Sequence, residues 1–96
     1  MPTTLEQIAI RIIKEQELII GPLAWTQATK VRGIHITDQN KGALTMDQVS
    51  NTSAIIDKLV GQYERLFGRA SREVSKEAAA PFLSSLSPAD IPLSLK

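Results

Sequence analysis

Apolar residues recur at helical spacing along most of this chain, and the longest such stretch lies between Ser53 and Ala80. On a wheel of 100° per residue, Ile56, Leu59, Val60, Tyr63, Leu66, Phe67, Ala70 and Val74 fall within an arc of roughly 120°, the width of a core-facing stripe. Lys58, Arg65, Arg69, Arg72 and Lys76 form a narrower line almost opposite. The pattern predicts one long amphipathic helix over about 53–80. Pro81 either ends it or opens a short new helix. Gly61 and Gly68 sit seven residues apart on the flank of the stripe, which suits exposed glycines, a bend near Gly68, or the close approach of another helix.

A second helical pattern comprises Leu5, Ile8, Ala9, Ile12, Ile13, Ile19 and Ile20, with Thr3 or Thr4 as cap and Glu6 or Gln7 at capping-box distance. It predicts a helix over about 4–20. Ile10 and Leu18 fall off the main stripe, so this helix carries apolar side chains for two surfaces. Gly21-Pro22 supplies a glycine suited to the left-handed C′ position and a proline suited to the first turn of a new helix, predicted over about 22–32 with Gly33 as its stop. Ile34-His35-Ile36-Thr37 then alternates, Asp38 to Gly42 reads as a turn, and Ala43-Leu44-Thr45-Met46 can pair back. A small β-hairpin over about 34–46 is expected, with an ordered loop as the alternative.

The expected fold is therefore mainly α, a helical hairpin (about 4–20 and 22–32) packed on the long C-terminal helix (about 53–80). Residues 1–86 form one helical domain, followed by a Pro-containing tail, 87–96, whose Ile91, Leu93 and Leu95 either fray or dock as an extended peptide. A straight helix over 53–80 would span ~42 Å, against a radius of gyration of ~13 Å for a domain near this size, so it must bend, protrude or pair.

Composition narrows the chemistry. Aromatics are few among the 96 residues (Trp25, Tyr63, Phe67, Phe82), which leaves Ile, Leu, Val and Ala to build the core. The absence of Cys removes thiolate metal sites and disulfides, and a net charge of +1 supplies no global attraction to nucleic acid or membrane. Met1 to Glu6 lacks a basic leader, and no uncharged run approaches the ~20 residues of a bilayer span, so a soluble cytoplasmic domain with no membrane partner is expected. The sole histidine, His35, has no nucleophile or carboxylate at a diagnostic spacing, and Gly21-Pro22-Leu23 and Phe67-Gly68-Arg69 each hold a single glycine, not a phosphate-cradling loop. The sequence thus indicates no catalytic residue, cofactor or metal, and the expectation is a protein that is not an enzyme.

Association is the function that the pattern favours. Eight large apolar residues (Ile55, Ile56, Leu59, Val60, Tyr63, Leu66, Phe67, Val74) at ~1.5–3 kcal/mol each represent well over ~10 kcal/mol of transfer energy. Helices one and two cover part of that stripe, but Ile10 and Leu18 then lack partners, which points to a homodimer. The expected self-association residues are Ile10, Leu18, Leu59, Tyr63, Leu66 and Phe67. Lys58, Arg65, Arg69, Arg72 and Lys76 are the candidate partner-binding residues, suited to an acidic protein surface and less to nucleic acid, because no aromatic accompanies them to stack bases. The expected role is a small interaction or regulatory module. The alternatives are a nucleic-acid-binding module using the basic face, or an enzyme assembled from distant residues.

Overall fold

The computed structural model describes residues 4–47 and 52–95. In chain order these form α1 (Thr4–Ile20), α2 (Leu23–Thr29), β1 (Ile34–Asp38), β2 (Ala43–Met46), α3 (Thr52–Phe67) and α4 (Arg69–Leu83), followed by single 3-10 turns at Pro88–Asp90 and Leu93–Leu95. The mainly helical fold with one small hairpin agrees with the sequence pattern. A cap at Thr3 lies outside the described residues.

One inner face of α1 makes the centre of the molecule. Ile8, Ala9, Ile12 and Ile13 are buried there against Trp25 and Ala28 of α2, Leu44 and Met46 of β2, and Ile55, Ile56, Leu59, Val60 and Tyr63 of α3. The chain leaves α1 through Gly21, whose N–H closes the last turn on the Glu17 carbonyl at 2.8 Å. Helix α2 is shorter than the predicted 22–32. From Lys30 onward the backbone tightens into i to i−3 bonds, Lys30 N–H to Gln27 O and Val31 N–H to Ala28 O, which drop Val31 and Ile34 into the core. In the antiparallel β-hairpin, Ile34 pairs with Met46, His35 with Thr45 and Ile36 with Leu44, and a bulge precedes the Asp38–Ala43 pair. Period two then works as expected: Ile34, Leu44 and Met46 face inward while His35 and Thr45 face water.

The predicted long helix over 53–80 is two helices, and the break falls at Gly68. Its φ of +88° with ψ of −176° belongs to a region that only glycine enters freely, and it stops α3 one residue after Phe67. The reason is dimensional. A straight helix of ~42 Å would overrun a molecule whose longest dimension is 32 Å, and it would leave the flank of α1 uncovered. After the turn, α4 runs back along α1 with Ser71, Ser75, Ala78 and Ala79 buried, a row of small residues that lets the two backbones approach closely. Gln16 of α1 fills the junction, donating from Nε2 to the Ser71 carbonyl at 2.9 Å and to Ser75 Oγ at 3.3 Å. Gly61 does not receive a helix: nothing lies within 4 Å of where its Cβ would be. Nor does Pro81 end α4, which continues to Leu83. The N–H it lacks would have met the carbonyl of Glu77, and both residues lie on the exposed side of α4.

Of the two readings of the tail, docking holds for residues 91–95, through a 3-10 turn rather than as an extended peptide, while Ser87, Pro88 and Ala89 are exposed. Pro92 and Leu95 are buried, and the turn Leu93–Leu95 lies against both α3 and α4. Asp57 Oδ1 accepts from the Ser94 backbone N–H at 2.9 Å and from its hydroxyl at 2.6 Å.

Candidate association surface

The break at Gly68 redistributes both stripes read from the sequence. Leu59 and Tyr63 are fully buried within the single chain, so neither can touch a partner without unfolding it. Tyr63 also donates its hydroxyl to the Ala24 carbonyl at 2.6 Å, tying α3 to α2, and burial pushes its pKa above the ordinary phenol range. Ile10 is half-buried and packs on the margin of the core. Leu18, Leu66 and Phe67 remain accessible, at 81%, 46% and 37% exposure.

The basic line is no longer one line. Lys58 and Arg65 lie on α3 while Arg69, Arg72 and Lys76 lie on α4 beyond the corner. Arg65 donates to Gln62 Oε1 at 2.8 Å, and Arg72 reaches back across the corner to Glu64 at 3.7 Å. These are ordinary surface pairings, with two of the five cations engaged within the chain. The rod of positive potential that a straight helix would have presented is absent from this arrangement.

What the fold assembles instead is an apolar surface where the second half of α1 meets α4. The helices run antiparallel, since Gln16 meets Ser71 and Ser75 while Arg11 lies beside Pro81. Between them is a hollow of about 330 Å³ whose walls include Leu18, Ile19, Val74, Ala78 and Pro81. Ile19, 63% exposed, and Val74 continue into a smaller hollow of about 100 Å³ that reaches Ile20, Phe67 and Ala70. On the other side of Arg11, a third hollow of about 220 Å³ is lined by Gln7, Ile10, Lys14 and Phe82. The rim carries both signs: Arg11 and Lys14 against Glu15 and Glu77, with Arg11 Nε 3.2 Å from Glu15 Oε1.

Sequence periodicity placed Leu18 on this surface but missed Ile19, Val74, Ala78 and Pro81. Ile19 belongs to the buried stripe by angle alone. It is exposed where it stands on the wall shared by two of the hollows between α1 and α4. Val74 was read as core because a straight helix would have kept it in line with Leu59 and Tyr63.

Catalytic geometry is thin. His35 Nε2 lies 2.8 Å from Asp47 Oδ1, an exposed pair spanning the open end of the hairpin. Among the described residues there is no group of three His, Cys, Asp or Glu able to hold a metal ion, and no helix long and apolar enough to cross a membrane. Comparisons with protein-family models, with curated proteins and with solved structures find no match.

Proposed function

We propose that the protein is an interaction module that associates through the surface between α1 and α4, and that its first partner is a second copy of itself. The observation that carries this reading is the exposure of two large apolar side chains, Leu18 and Ile19, on the wall of the hollow of about 330 Å³. A surface holding both a knob and a hole is self-complementary under a two-fold axis, because each copy inserts what the other receives. The rim supports the same choice. Two cations, Arg11 and Lys14, and two anions, Glu15 and Glu77, give a face without the net charge that would repel its own copy.

Magnitude decides the strength. Burying Leu18 and Ile19 from both copies gains on the order of 6–12 kcal/mol at ~1.5–3 kcal/mol per side chain. Bringing two molecules together costs ~4–15 kcal/mol. The two ranges overlap, so the gain does not far exceed the cost, and the dimer proposed is a weak one that exchanges with monomer. Sedimentation equilibrium from ~10 µM to ~1 mM, the range in which free energies of about −4 to −7 kcal/mol become visible, tests it. The weight-average mass should rise above 10.5 kDa with concentration, and Leu18→Glu should hold it there. A native chain that stays at 10.5 kDa throughout refutes the dimer.

A further inference from the structure

The segment Ile91–Leu95 is held differently from every other part of the core. It is neither an α-helix nor a paired strand, and it packs on α3 and α4 through a 3-10 turn. Pro92 and Leu95, three residues apart, enter the interior on one side of a turn while Leu93 between them stands 74% exposed. Its backbone is kept in a single 3-10 turn by Leu95 N–H to Pro92 O at 3.0 Å. Two polar anchors tie it to α3, and both end on one atom, Asp57 Oδ1, which takes the Ser94 amide and hydroxyl together. The connector from α4 is short, with Ser84, Ser85 and Ser87 exposed and Leu86 resting on the core.

We infer that the face of α3 and α4 around Asp57 is a peptide-binding site, filled here by the chain's own residues 91–95. Its ligand class is a short peptide that takes a 3-10 turn, with a proline that is buried, a serine two residues later that engages the Asp57 carboxylate, and an apolar residue after that. The carboxylate supplies recognition, since it accepts an N–H and an O–H that only a hydroxyl-bearing residue presents together. A segment tethered through so short a connector competes at an effective concentration of order millimolar, so a free peptide enters only when the cis segment is out of the slot. The site is independent of the α1–α4 surface, and either can fail without the other.

The test uses the full chain carrying Leu95→Asp, which places a charge at a buried plug and undocks the segment. The probe is a synthetic peptide of residues 87–95, with a second peptide in which Ser94→Ala removes the hydroxyl. Binding is followed by amide chemical shifts around Asp57. The undocked chain should stay helical and bind the first peptide; the second should bind about tenfold or more weakly, as expected for losing a hydrogen bond to a charged group; the native chain should bind neither at the same concentration. Four results overturn the inference: loss of helical structure in Leu95→Asp, a folded variant that does not bind at millimolar peptide, equal binding of the two peptides, or equal binding by the native chain.

Discussion

Tyr63 is the only tyrosine in the chain, which makes one buried side chain directly observable. Its hydroxyl sits in the interior with its proton committed to the Ala24 carbonyl, and removal of water around it disfavours the phenolate. An unfolded chain releases that proton near pH ~10, whereas the folded chain holds it to higher pH. The group therefore contributes its full stability below pH ~10 and loses it as pH climbs further. Phenolate absorbance is expected to appear together with loss of helical circular dichroism, and Tyr63→Phe should carry alkaline unfolding to higher pH. At neutral pH the same substitution should cost only about 0.5–1.5 kcal/mol in a denaturant melt, the value of one hydrogen bond. Ionisation near pH ~10 with helicity intact would mean that the hydroxyl reaches solvent.

Among the elements, the corner between α3 and α4 governs the shape, and two glycines seven residues apart test it in opposite directions. Gly61 lies inside α3 with open space around it, so Gly61→Ala should stabilise by about 0.4–1 kcal/mol through helix propensity and a less flexible unfolded chain. Gly68 has equal space but a φ of +88°, where an L side chain is strained, so Gly68→Ala should destabilise by about 1 kcal/mol or more. Thermal melts of the two variants read this directly. Were residues 53–80 one helix, both would stabilise. This corner also marks where the sequence stopped being legible. Helical periodicity reports which residues share an angle, and it located every helix-forming stretch as well as the hairpin from Ile34 to Met46. It cannot report a single residue that resets the angle, since Leu66, Phe67 and Val74 keep their period across the break while their surroundings change. The same blindness applies to Ile19, which stands on the wall between α1 and α4, and to Pro92 and Leu95, whose burial depends on a slot formed by α3 and α4.

For the whole molecule, the buried set from Ile8 to Leu95 shows that one chain closes its own core, including the Leu59 and Tyr63 that periodicity assigned to a dimer contact. Association then has to use what the closed core leaves outside, and Leu18, Ile19, Leu66 and Phe67 gather near the corners where α1 ends and α3 turns into α4. That placement explains why a small fold with a closed apolar core still presents an apolar surface. A dilution series followed by amide chemical shifts locates the contact as well as detecting it. Between ~10 µM and ~1 mM, over which a weak dimer forms, shifts should move for residues 7–20 and 67–82 and stay fixed in the hairpin, and Leu18→Glu should freeze the spectrum at its dilute form. Shifts that do not depend on concentration, or that move only on the hairpin or around Lys58, would contradict association through α1 and α4.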